Sequence, residues 1–193
     1  MLAFDAPSHT YTWHPADATV PGRRLLSVTE VLRRTGMIDT RFYTDESRLR
    51  GERVHKAVAL DHDDTLDESS ADDVMPWVLT WRRFCAESGF RVWRFEQQVC
   101  DEYRGYAGTY DVLGCFRDEG EPPILLDIKT GQPQAWVGPQ TAAYARCLSG
   151  FHARYALHLT PDRYVLTELR DRNDEPIFLA ALAVATWQVQ HGQ

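Results

Sequence analysis

The sequence predicts an α/β protein in which helices pack around a mixed β-sheet. Three observations carry that expectation: apolar residues recur at helical spacing as far as Ser88, the period changes to two from Phe90, and helical segments return after Lys129 and after Leu169. The 193 residues, 44 % hydrophobic and 25 % charged, have ordinary globular composition. That length suits one core, so residues 1–193 are expected to form one domain, with a core at 45–170, an N-terminal extension at 1–44 and a closing helix at 176–189.

Each element has a local cause. Ser27-Val28-Thr29-Glu30 has the S-x-x-E form of a capping box, which starts a short helix that stops near Gly36. A longer helix is expected from Asp45 to Leu60, followed by an acidic loop. Another spans Asp73 to Ser88, with Pro76 in its first turn and Val74, Trp77, Val78, Trp81 and Phe84 along one face. Alternating patterns then mark strands at Phe90 to Cys100, Tyr106 to Phe116 and Pro123 to Lys129. A helix from Trp136 to Leu148 tolerates Pro139 in its first turn. Strands at Arg154 to Leu159 and Arg163 to Leu169 precede the last helix, Pro176 to Val189.

Charge is unevenly spread. The net charge of -7 opposes a polyanionic partner, but seven carboxylates lie between Asp61 and Asp73. Without them acids and bases balance, at 21 each. Residues 23–56 hold nine bases against five acids, so a local basic surface is available to steer a polyanion. A calcium loop starting at Asp61 would need glycine at its sixth position, where Leu66 stands. Cys85, Cys100, Cys115 and Cys147 are scattered without a C-x-x-C pair and are expected to be reduced. Neither a basic-then-apolar leader nor a run of ~20 apolar residues occurs, so the expectation is a cytoplasmic protein without a membrane partner.

Chemistry concentrates in ILLDIKTG. Alternation puts Asp127 and Lys129 on one strand face, with Ile124, Leu126 and Ile128 on the other. Leu125 shares the polar pair's face, which indicates a strand buried on both sides whose charged end opens into a site. A D-x-K pair alone is most often a salt bridge. Asp111, in GYAGTYDVLG on the preceding strand, adds a second carboxylate, and two carboxylates held together are tolerated mainly when a cation sits between them. His55 lies on the second helix with Gly51 one turn earlier, and Gln140 and Tyr144 share a face of the helix after the D-x-K strand. Glu96, on the first strand, faces either such a cation or water. Tyr11, Trp13 and Trp136 could stack on unpaired bases, although such residues are more often core or hairpin packing.

In order, the motifs GERVH, GTYD, DIK and QTAAY follow G-x-x-x-H, G-x-x-D, D-x-K and Q-x-x-x-Y. This series resembles the RecB-like branch of the PD-(D/E)xK nuclease superfamily over residues 51–144. The upstream LLSVTEVLRRTG looks like the lead-in of phage-type and CRISPR-associated exonuclease-like members. Tyr110 stands where the proline that names the motif would be, and the cysteines lack the spacing of the iron-sulfur members, so no cluster is expected.

The resemblance implies a restriction-endonuclease-like αβββαβ core and a metal-dependent nuclease, in particular a DNA exonuclease of recombination or end processing. It implies that His55, Asp111, Asp127 and the backbone carbonyl of Ile128 bind Mg²⁺ or Mn²⁺, with Glu96 as a further candidate. It also implies that Lys129 acts at the scissile phosphate with Asp111 and Asp127, and that Gln140 and Tyr144 orient the site or touch nucleic acid. The alternative is a nucleic-acid-binding module without catalysis, or a subunit of a larger recombination or defence complex. Protein partners and oligomeric state are left open.

Overall fold

The computed structural model describes residues 1–17, 19–39, 44–116, 122–150 and 152–192. Arg41, part of the basic stretch noted above, lies outside them. Elements run β1 (Leu2–Asp5), β2 (Thr10–Trp13), β3 (Arg23–Ser27), α1 (Val28–Arg34), α2 (Asp45–His62), α3 (Met75–Ser88), β4 (Arg91–Asp101), β5 (Tyr106–Cys115), β6 (Ile124–Lys129), α4 (Val137–Cys147), β7 (Ala153–Leu159), β8 (Tyr164–Glu168) and α5 (Asp174–Gln190). The protein is a mixed α/β fold with an open central sheet flanked by helices, and the αβββαβ order runs from α3 to β7, with α2 ahead of it.

Helix starts follow local chemistry. The Ser27 hydroxyl accepts from the Glu30 N–H at 3.0 Å and caps α1, while the Thr44 hydroxyl accepts from the Ser47 N–H at 3.1 Å and caps α2. Glu30 does not serve as the second half of a capping box; its carboxylate takes Arg24 and Arg34, each at 3.0 Å. Gly89 ends α3 with φ of 69°, a left-handed C-cap. The acidic run is partly helical and tied down. Asp61 lies within α2, and Arg82 gathers both Asp61 and Glu68.

The sheet branches at β5. β4 runs antiparallel along one edge of β5 for nearly its whole length. The other edge is shared: β6 pairs antiparallel with Val112, Leu113 and Gly114, whereas β3 pairs parallel with Tyr106 and Ala107. Between those ladders, Gly108 to Asp111 have no strand partner on that edge among the described residues. β7 then adds parallel to β6, and β8 antiparallel to β7.

Two cores sandwich the sheet. Val54 and Val58 of α2 and Val78, Trp81 and Phe84 of α3 cover one face, meeting Leu126, Ile128 and Leu157. Val31 and Leu32 of α1, Tyr144 of α4 and Phe178 and Leu182 of α5 cover the other, meeting Tyr106, Tyr110 and Leu125. β6 is therefore buried on both faces, as its apolar run indicates. Apart from a register shift in β4 between Val92 and Arg94, simple alternation fails near the middle of β5. Tyr106 and Tyr110 pack beneath α4 and α5, but Val112 packs beneath α2 and α3, so the facing of β5 changes across Asp111. Opposite it on β4, Glu96 has φ of 47°. Phe95 and Val99 lie against different cores on either side of it.

An inner ion pair fixes α4 to this sheet. Arg154 of β7 meets Asp174 of α5 at 2.9 Å, with both side chains nearly buried, and donates to the Gly138 carbonyl of α4 at 2.8 Å. Asp174 packs so closely on Gly138 that a Cβ there would lie 2.4 Å from its Oδ1. Removing one partner of a buried pair leaves the other charge uncompensated. Asp174→Ala is expected to cost about 3 kcal/mol. Urea unfolding should show a lower midpoint at an unchanged slope.

Candidate metal centre

The site occupies the gap where β6 parts from β5. The β5–β6 ladder ends at the Val112–Leu126 pair, yet Ile128, two residues on, still presents an N–H and a carbonyl toward β5. Side chains satisfy both. The Asp111 carboxylate accepts from the Ile128 N–H at 2.7 Å, and His55 Nε2 lies 2.9 Å from the Ile128 carbonyl, to which it donates. His55 reaches the gap from α2, on which Val54, Ala57 and Val58 are buried and fix the helix's roll. Gly51, one turn earlier, leaves Thr130 room to approach, at 3.5 Å from where a Cβ would stand.

With Nε2 engaged, His55 turns Nδ1 toward two carboxylates. Glu96 Oε1 and Asp111 Oδ1 each lie 3.6 Å from it. One donor atom from each of His55, Glu96 and Asp111 falls within 4.8 Å of the others, the arrangement a single cation needs. Burial works against a charge on His55, but Asp111 and the hydrogen bond and charge of Glu96 outweigh it and push its pKa up to about 9. The imidazole thus answers two adjacent negative charges, which a divalent ion would answer instead.

Asp127 and Lys129 stand beside this group. Asp127 is buried, and its Oδ2 lies 2.5 Å from Lys129 Nζ. Burial pushes the Asp127 carboxyl up to about 6, against the pull of Lys129 and with the repulsion of Asp111. Asp127 is not one of the three clustered donors; its carboxylate is held by the lysine of its own strand. Lys129 Nζ also lies 5.4 Å from the centre of the Trp136 ring.

The far wall comes from α4. Gln140 Nε2 donates to the Tyr144 hydroxyl at 3.2 Å, with both residues buried. Burial, and then the charges of Asp127 and Asp111, hold the Tyr144 hydroxyl well above its ordinary pKa and therefore protonated. Gly108 is what lets this ring lie over β5: a Cβ there would stand 2.5 Å from a Tyr144 ring carbon.

The structure thus gathers His55, Glu96 and Asp111 into one cluster, puts Asp127 and Lys129 at its edge, and sets Gln140 and Tyr144 behind them. The Ile128 carbonyl is taken by His55. Tyr11 and Trp13 belong elsewhere: Tyr11 is buried, stacked on Phe4 with rings 4.6 Å apart and bonded through its hydroxyl to Thr109, and Trp13 packs against the same small core. His158 is a neighbour that motif spacing does not reveal. It is the β7 register partner of Lys129, it is buried, and burial lowers its pKa. Neither of its ring nitrogens has a hydrogen-bond partner among the described residues. A polar residue at the end of the apolar strand RYALHL was its only signal.

No protein-family model matches the chain, and no curated protein matches it. Solved structures similar to it at low identity include the following two. One is a protein named SSO0001, 16 % identical with a TM-score of 0.41 over 84 % of this chain and 75 % of that one. The other is an alkaline exonuclease, LHK-Exo, from Laribacter hongkongensis, 12 % identical with a TM-score of 0.44 over 87 % of this chain and 89 % of that one.

Glu96 supplies a test of the cluster's strain. A non-glycine residue in the left-handed region costs about 1–2 kcal/mol, and this one also places a carboxylate against Asp111. Part of that gain is offset by glycine's extra freedom when unfolded. In a chelating buffer near pH 10, above the raised pKa of His55, where the pairing of its imidazolium with Glu96 is lost, Glu96→Gly is expected to be more stable than the parent by about 1 kcal/mol. A loss of stability in urea unfolding would show that Glu96 is held by favourable contacts instead.

Proposed function

We propose that the protein is a divalent-metal-dependent nuclease that hydrolyses phosphodiester bonds, with DNA as substrate and strand ends as the point of attack. One observation carries the proposal: an imidazole nitrogen and two carboxylates converge within 4.8 Å beside a buried Asp–Lys pair, where a sheet ladder ends. DNA and end-directed action come from the resemblance of the four ordered motifs to exonuclease-like members of the superfamily. Among the described residues no helix is long and apolar enough to cross a membrane.

The donor set fits Mg²⁺ or Mn²⁺, hard cations that favour oxygen ligands and, for Mn²⁺ especially, accept an imidazole. His55 Nδ1, Glu96 and Asp111 would hold the ion, and Asp127 would join them once Lys129 turns from it to a phosphate. The Ile128 carbonyl anchors the His55 ring in the tautomer that leaves Nδ1 free to ligate, and so stands on the far side of the ring from such an ion rather than among its ligands. The bound ion would supply Lewis acidity and a water made acidic enough to attack phosphorus near neutral pH.

The chain's own groups do the rest. Asp111, fixed by the Ile128 N–H, keeps one oxygen on the backbone and one in the cluster. Lys129 brings a positive charge to the side where the phosphate gathers negative charge, a stabilisation realised most fully in the transition state. Tyr144, protonated and held by Gln140, is a neutral donor at the back of the carboxylates.

Lys129→Ala is expected to abolish cleavage, a loss of at least ~10²-fold, while a metal-induced rise in melting temperature survives. Asp111→Asn should lose both cleavage and that rise. Undiminished cutting by Lys129→Ala would overturn the assignment. Linear and covalently closed circular DNA compared in Mg²⁺, Mn²⁺ and EDTA test the remaining claims: linear DNA alone should be degraded, and only with metal. Cutting of closed circles would refute end-directed action, and activity in EDTA would refute the metal.

A further inference from the structure

Two clefts meet at Gly51 and His55, and they differ in sign. The first, about 500 Å³, runs along α2 past Lys56 and Leu60 and carries Glu52, Asp63 and Glu96. The second, about 580 Å³, opens on the other side between α1, the start of α2 and the segment joining β6 to α4. Arg33, Arg48, Arg50 and Lys129 line it together with Gln132, Gln134 and Trp136, and no Asp or Glu is among the described residues that form it. On a chain with 28 acids and 21 bases, an acid-free wall with four cations is a marked departure.

The geometry points to this second cleft as a track for one unpaired polynucleotide strand leading to the metal centre, a proposal that rests on the nuclease function above and names the form of its substrate. The volume is in the small-molecule range, room for about a nucleotide or two of a single strand and less than a duplex occupies. Phosphates need cations along the wall. Arg33 projects from α1, and among the described residues Arg48 is held only by exposed pairs on its own helix, with Glu52 at 2.7 Å and Asp45 at 3.9 Å. Such exposed pairs are weak and yield readily to a phosphate.

Bases need flat partners and amides. Trp136 is half-buried at the cleft wall, anchored against the α4 core, with Lys129 over its ring. It offers a stacking surface within reach of the lysine that would meet the scissile phosphate. Gln132 and Gln134 add donors and acceptors without charge, which suits a strand of any sequence. The first cleft, with three carboxylates against one lysine, repels phosphate. A strand is therefore drawn to the metal centre from one side.

Binding without turnover tests this. Fluorescence anisotropy in EDTA would compare a labelled twelve-nucleotide oligothymidine with a blunt duplex of the same length across a salt series. The single strand should bind more tightly than the duplex. Arg33→Ala/Arg48→Ala should weaken strand binding by more than about tenfold and flatten the log-log salt dependence by about 1.4, for two lost phosphate contacts. Trp136→Leu should weaken it by about tenfold with the salt dependence unchanged, and Trp136→Phe should restore most of the loss. Circular dichroism melts identify any variant that has lost its fold, and the exposed arginines supply the decisive pair. Equal affinity and slope in the double-arginine variant, or a preference for duplex, would overturn the track. Strand binding lost in that variant, with no cleavage by the parent in any metal, would uphold the track and refute the nuclease function.

Discussion

The site depends on how Ile128 is satisfied. A strand that leaves its neighbour exposes an N–H and a carbonyl, and unpaired backbone groups in a buried setting are costly. Here an aspartate from β5 and a histidine from α2 take those two groups at 2.7 and 2.9 Å. The same two bonds orient the donor atoms that face Glu96. Fold closure and the placement of the candidate ligands are thus one set of interactions, so the geometry of the cluster follows from the fold itself.

The branching of the sheet makes that gap possible. β5 carries β6 on part of one edge and β3 on another, and the interval between them holds Asp111. α1 follows β3 directly, which brings Arg33 toward the same opening. Charges of opposite sign meet across this interval: carboxylates on β4 and β5, cations on α1, α2 and β6. The charges of Asp111 and Glu96 raise His55 toward protonation, burial with the added repulsion of Asp111 raises Asp127, and Glu96 itself holds a left-handed backbone conformation. Local instability of this kind is what a bound cation and a phosphate would relieve.

Legibility in the sequence was uneven for physical reasons. The helices from α1 to α5 and the strands from β4 to β8 follow from periodicity and from Ser27, Pro76 and the Gly and Pro punctuation, with bounds displaced by a few residues at most. β1, β2 and β3 were not expected. Strands of four or five residues carry too little alternation to stand out, and their stability comes from pairing with one another and with β5 rather than from local pattern. The Tyr11 ring illustrates the consequence: it is exposed to interpretation as a base-stacking residue in sequence and is buried beneath this small hairpin in three dimensions.

What the sequence determined by itself was which elements carry the candidate site residues. His55 on a helix, Asp111 and the Asp127–Lys129 pair on adjacent strands, and Gln140 and Tyr144 one turn apart all follow from spacing. Tertiary structure decided which of them meet. Glu96 joins His55 and Asp111 because the facing of β4 and β5 changes at that level, a departure that strict alternation cannot express. Asp127 turns to Lys129, and Ile128 becomes the anchor of both His55 and Asp111, because a ladder ends where β6 diverges from β5. Spacing fixes which face a residue takes along a regular element; where two strands separate, only the packing of the whole chain says what fills the gap.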